Sequence, residues 1–127
     1  MDETLKKQLE ITACKVRLGI LEGVFNAKSG HPGGSLSIAD LLTYLYFAKM
    51  NVYPDKPEEP ERDRLVLSKG HTAPALYATL AEKGFFPKEE LKSLRHIGAM
   101  LLYQFKRIPK LRCCVLAPDI FGAGPLD

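Results

Sequence analysis

Lys28-Ser29-Gly30-His31-Pro32-Gly33-Gly34-Ser35 sets three glycines, a proline and a histidine between two helical patterns. Glycine permits positive φ and close approach of another group, and proline fixes φ. The direction of His31 is therefore held by the main chain around it. A second loop of the same kind follows at Ser68-Lys69-Gly70-His71-Thr72-Ala73-Pro74. Two rigid loops, each presenting an imidazole, are the strongest functional signal in the chain.

Upstream of the first loop, residues 4–28 read as one long amphipathic helix. Leu5, Leu9, Ala13, Val16, Ile20, Val24 and Ala27 recur at three- and four-residue steps, with charged residues mostly between them. Leu18, Leu21 and Phe25 widen the stripe, so burial on more than one side is expected, and Cys14 reads as a small core residue. Gly30 is placed to end the helix as a left-handed cap. Downstream, Ser37-Ile38-Ala39-Asp40 reads as a capping start, with Asp40 as the cap partner. The run to Lys49, dense in Leu41, Leu42, Leu45, Tyr46 and Phe47, calls for neighbours on both sides; Tyr44, Tyr46 and Phe47 read as core or subunit interface.

Pro54, Pro57 and Pro60 among acidic residues make 51–64 a solvated loop. Arg64-Leu65-Val66-Leu67-Ser68 reads as a buried strand running into the Gly-His loop, with Pro74 opening a helix that Gly84 ends. Strand, loop, helix is the arrangement in which α/β folds place ligands, outside the strand's carboxyl end. A short helix is expected from Pro87 through Leu94, with His96 solvated near it. From about Gly98 the pattern weakens, and 101–127 shows no capping or periodic element.

With 127 residues, 46% of them apolar, the chain has room for one small domain with a real core. The net charge is +3, and Lys106, Arg107, Lys110 and Arg112 against Asp119 and Asp127 place most of it after residue 100. No basic face argues for nucleic acid. A charged N-terminus without an apolar core, and no run near the roughly 18 apolar residues of a membrane span, point to a soluble cytoplasmic protein. Three cysteines, two of them adjacent (Cys113, Cys114), form neither a disulfide framework nor a metal-ligand spacing. Walker, G-x-G-x-x-G and G-x-S-x-G motifs are absent, which removes several common enzyme classes.

Neutral histidine donates from one ring nitrogen and accepts at the other, so it can bind a phosphate or pass a proton near neutral pH. His71 precedes a helix start, where free N–H groups and the dipole favour a diphosphate. His31 lies among glycines that let a substrate or cofactor come close. The plain alternative is that both imidazoles bond local carbonyls and carry no chemistry.

Ser29-Gly30-His31-Pro32-Gly33-Gly34-Ser35-Leu36-Ser37, then Asp63-Arg64, then Leu67-Ser68-Lys69-Gly70-His71-Thr72-Ala73-Pro74-Ala75-Leu76-Tyr77, resembles transketolase. The likeness covers about residues 5–99 and is greatest to the N-terminal half-chain of split bacterial and archaeal forms. It implies the first part of a three-layer α/β domain that binds thiamine diphosphate, mostly helical over this length, working at a dimer interface. The activity implied is a transferase reaction: the thiazolium ylid attacks a ketose phosphate, the C2–C3 bond breaks, and a two-carbon ketol unit passes to an aldose phosphate. By the same likeness His31 aids proton transfer near thiazolium and substrate, and His71, with Gly70 and Ser29, binds the cofactor. The implied partners are sugar phosphates, a further copy in a homo-oligomer and a C-terminal transketolase subunit. Mg²⁺ is implied with ligands in a later Gly-Asp-Gly segment not found in these residues.

The likeness breaks near residue 101. A Gln-Gly-His-Pro segment is expected there, and Leu102-Tyr103-Gln104-Phe105 stands instead. Codons for Phe121 to Asp127 can be chosen whose shifted frame encodes the family's Leu-Gly-Gln-Gly-Leu-Ser. The sequence therefore divides into a domain portion, 1–100, and an atypical tail, 101–127, expected to be frameshifted or disordered. As an isolated polypeptide the chain is expected to be inactive and to expose apolar patches. A non-catalytic helical interaction module built on the same scaffold is the alternative function.

Overall fold

The computed structural model describes residues 1–27, 32–57, 59–67, 72–93 and 114–116. Three helices pack around one another: α1 (Glu3–Ala27), α2 (Pro32–Tyr44) and α3 (Ala73–Lys83). β1 (Leu65–Leu67) enters α3, and β2 (Cys114–Leu116) pairs parallel to β1 in the register Leu65–Cys114, Val66–Val115, Leu67–Leu116. A three-helix core joined by Leu67 of a small parallel strand pair makes this part of an α/β domain, mostly helical over the described residues.

Asp2 starts α1, its Oδ1 accepting from the Thr4 N–H at 2.6 Å and the Leu5 N–H at 3.3 Å. The 25-residue helix matches the span read from the periodicity. Its second apolar side is not buried: Leu18 is 67% and Phe25 80% exposed, and Cys14, read as core, is exposed too. Among the described residues α1 packs through one side, built on Ala13, Val16 and Ile20.

α2 begins at Pro32, five residues before the expected start. Proline suits the first helical position, where its missing N–H leaves no bond unmade. Ser37 is accordingly inside the helix, its hydroxyl donating to the Gly34 carbonyl at 2.8 Å, and Asp40 is no cap partner. Asp40 Oδ2 accepts instead from Arg17 Nη2 at 2.7 Å, an exposed pair that ties α1 to α2. Beyond Tyr44 the helix widens into a π-type turn, Leu45–Lys49, closed by the Met50 N–H on the Leu45 carbonyl at 2.7 Å. Tyr46 is buried, while Tyr44 and Leu41 are exposed, so among the described residues α2 also has neighbours on one side only.

α3 is the central element. Every residue from Pro74 to Ala81 is buried, enclosed by α1, α2 and a 3₁₀ segment, Lys88–Ser93. Pro74 lies in its first turn and Gly84, at φ 105°, ends it as expected. The Phe85 N–H bonds the Leu80 carbonyl at 3.0 Å and the Gly84 N–H the Ala81 carbonyl at 3.1 Å, a Schellman closure with Phe85 and Leu80 both buried. A glycine lets α1 approach: a methyl group on Gly19 would stand 3.1 Å from Ala78 Cβ.

β1 is shorter and less covered than expected, with Leu67 buried but Val66 61% exposed. β2 comes from the stretch that showed no pattern, because three residues are too few to carry a period. The Gly30 cap, Leu94, His96 and residues 94–113 and 117–127 lie outside the described residues.

Candidate functional site

His31, His71, Ser29 and Gly70 lie outside the described residues, and what the structure gives is the frame that holds their two loops. Loop 28–31 joins the end of α1 to the start of α2. Loop 68–71 joins the end of β1 to the start of α3. Both loops thus deliver the chain into a helix N-terminus.

Those two helix starts meet. A methyl group on Gly34, in the first turn of α2, would stand 3.4 Å from Thr72 Cγ2, the residue before α3. Thr72 and Ser35 are both fully buried at this junction. Beside Gly33, among the described residues, no atom lies within 4 Å of where a side chain would begin. The first turns of both helices carry N–H groups that no intrahelical carbonyl can take, and their dipoles point the same partial positive charge at the junction. The juncture therefore suits an anion, and the room left beside Gly33 by the described residues lets one come near the main chain.

Ser35, in the first turn of α2, is a site residue that the sequence alone does not mark. It continues the buried stripe Ser35, Ala39, Leu42, Tyr46 to the loop end of α2. Its Oγ has no hydrogen-bond partner among the described residues, unlike Thr43 and Thr79, whose hydroxyls bond the Ala39 and Ala75 carbonyls at 2.8 and 2.7 Å. An unpaired buried hydroxyl costs about 1–3 kcal/mol. Ser35→Ala, which also favours the helix, is expected to raise the unfolding midpoint of the cofactor-free chain; differential scanning calorimetry without and with thiamine diphosphate checks it. Serine's one sequence signal was its spacing of four from Ala39, which a polar residue does not announce.

Among the described residues no group of three or more His, Cys, Asp or Glu could hold a metal ion. No helix among them is long and apolar enough to cross a membrane.

Residues 8–101 match the family model described as transketolase, thiamine diphosphate binding domain. Over 93 residues the chain is 50% identical to one of the subunits of the apulose-4-phosphate transketolase of Phocaeicola vulgatus, covering 73% of this chain and 33% of that protein. It is 53% identical over 93 residues to the 6-deoxy-6-sulfo-D-fructose transketolase subunit SqwG of a Clostridium species, covering 34% of it. With the transketolase of Pongo abelii it shares 41% over 123 residues, 97% of this chain and 19% of that protein. The chain thus spans about a third of the bacterial subunits and a fifth of the mammalian enzyme. The family match takes in both Gly-His loops and the helices that start from them, and on that footing the chain belongs to the transketolase family, within its thiamine diphosphate-binding domain.

Proposed function

We propose that this chain is the N-terminal part of a transketolase that moves a two-carbon ketol unit from a ketose phosphate to an aldose phosphate, using thiamine diphosphate. The observation that supports this is the contact between the starts of α2 and α3, the helices that follow His31 and His71 directly. Two helix N-termini, the room left beside Gly33 by the described residues and an unpaired Ser35 hydroxyl fit a diphosphate brought close to the main chain.

Bound there, thiamine diphosphate supplies the carbon nucleophile that cleaves the ketose beside its carbonyl. His71, with Gly70 and Ser29, holds the diphosphate. His31 takes and returns protons at the substrate side. Mg²⁺ accompanies the diphosphate on ligands outside these residues, and the rest of the N-terminal subunit with a C-terminal subunit, in a homo-oligomeric assembly in the cytoplasm, completes the enzyme. Both bacterial relatives are named for sugars with an anionic group, a phosphate in one and a sulfo group in the other, in keeping with a donor that carries an anionic group.

The test is to join the chain to the remainder of a split transketolase's N-terminal subunit, mix it with the C-terminal subunit, and titrate thiamine diphosphate with Mg²⁺ by calorimetry. Saturable binding by the mixture, followed by ketol transfer from a ketose phosphate, is the expected result. A mixture that binds no cofactor would overturn the reading.

A further inference from the structure

Three buried hydroxyls stand on helices among the described residues: Ser35, Thr43 and Thr79. Thr43 Oγ1 donates to the Ala39 carbonyl and Thr79 Oγ1 to the Ala75 carbonyl, each four residues back, which is how a helix ordinarily absorbs such a group. Thr12 and Ser37 do likewise with the Gln8 and Gly34 carbonyls. Ser35, 0% exposed, takes no carbonyl, and its Oγ has no partner.

Side chains on a helix lean toward its N-terminus. Ser35 is the fourth residue of α2, so its hydroxyl leans over the first turn. It stands on the side that carries Ala39, Leu42 and Tyr46 into the core, and the residue before it, Gly34, lies against Thr72 at the start of α3. The hydroxyl is thus directed at the inner side of the junction between the two helix starts. A serine can donate or accept there. The surroundings decide, because the free groups of both first turns are N–H donors at the positive ends of two dipoles. A ligand atom held by them is an acceptor with negative charge, and toward it the hydroxyl donates.

We infer that Ser35 is a cofactor-binding residue whose Oγ–H donates to a diphosphate oxygen of thiamine diphosphate. The assignment rests on the transketolase reading. It makes a prediction that a structural role does not. Alanine at this position removes an unpaired buried hydroxyl and a cofactor bond together, so stability without cofactor rises while affinity falls. A residue that only shapes the fold loses both.

The assembly to test is the chain joined to the remainder of an N-terminal transketolase subunit and mixed with the C-terminal subunit. At fixed Mg²⁺, Ser35→Ala is expected to raise the calorimetric dissociation constant of thiamine diphosphate by about 10- to 100-fold, the range of a hydrogen bond to a charged group. The unfolding midpoint of the same assembly without cofactor is expected to rise. Ser35→Cys keeps the shape of the side chain with a weak donor, and is expected to lose affinity as well. Inorganic pyrophosphate, measured by competition, is expected to weaken by the same factor as thiamine diphosphate. A parent assembly that binds no thiamine diphosphate overturns the transketolase reading and this assignment with it. A parent that binds, with Ser35→Ala and Ser35→Cys keeping its dissociation constant, overturns the assignment alone. So does pyrophosphate binding that Ser35→Ala leaves unchanged, or a midpoint that falls without cofactor, which would give the hydroxyl a partner inside the protein.

Discussion

Replacing His31 with alanine, in the chain joined to the rest of an N-terminal transketolase subunit and mixed with the C-terminal subunit, is expected to lower ketol transfer by about 10²–10⁴-fold, the usual contribution of a positioned proton-transfer group. Thiamine diphosphate affinity is expected to change little. His71→Ala is expected to do the reverse. It removes a hydrogen bond to a charged group, worth about 1.5–3 kcal/mol, so the cofactor dissociation constant rises by roughly 10- to 100-fold. Saturating cofactor then recovers most of the turnover. The opposite signatures follow from where each residue sits in the chain. His71 stands immediately before Thr72 and the first turn of α3, where the unbonded N–H groups favour an anion. His31 stands before Pro32, whose ring offers no N–H at the start of α2 but fixes the chain direction. Calorimetry for the dissociation constant and initial rates at saturating cofactor separate the two. Two variants that lose binding and turnover together would mean that both histidines hold the loops and neither does chemistry.

The fold was legible where one physical signal acted alone. The apolar period of α1 gave its extent, and Pro74 and Gly84 marked both ends of α3 because a ring-fixed φ and a positive φ have few other uses. Errors came where two signals competed. Ser37 and Asp40 have the spacing of a capping box, yet Pro32 starts the helix earlier, and once Ser37 lies inside it Asp40 is free to pair with Arg17 across the helix interface. Period alone also overstated burial. Leu18, Leu21, Phe25 and Cys14 share the apolar character of the core stripe, and sequence does not say whether a partner from the same chain exists for that side. For the site, the two Gly-His motifs named the loops, but the contact between Gly34 and Thr72 joins residues 38 apart in the chain and has no local signature. β2 is similar: Cys114–Leu116 is defined by its pairing with Leu65–Leu67, and only the partner makes it a strand.

If α3 is the element around which the others are built, truncating its core should cost far more than truncating an equally apolar residue elsewhere. Leu76 is fully buried in the middle of α3, and Leu41, of the same chemistry, is 55% exposed on α2. Leu76→Ala removes buried methyl groups and leaves a void between α1, α2 and α3, at about 2–5 kcal/mol. Against a total of about 5–15 kcal/mol for a small domain, that is a large share of the stability. At about 4 °C for each kcal/mol in a chain of this size, the unfolding midpoint falls by roughly 8–20 °C. Leu41→Ala is expected within about 0.5 kcal/mol of the parent, since a solvated surface site has little packing to lose. Helix propensity does not confuse the comparison, because alanine is at least as good a helix former as leucine at both sites. Thermal melts of the two variants at one protein concentration decide it. Equal losses would place the packing centre outside α3, and with it would go the platform that holds the starts of α2 and α3 against each other.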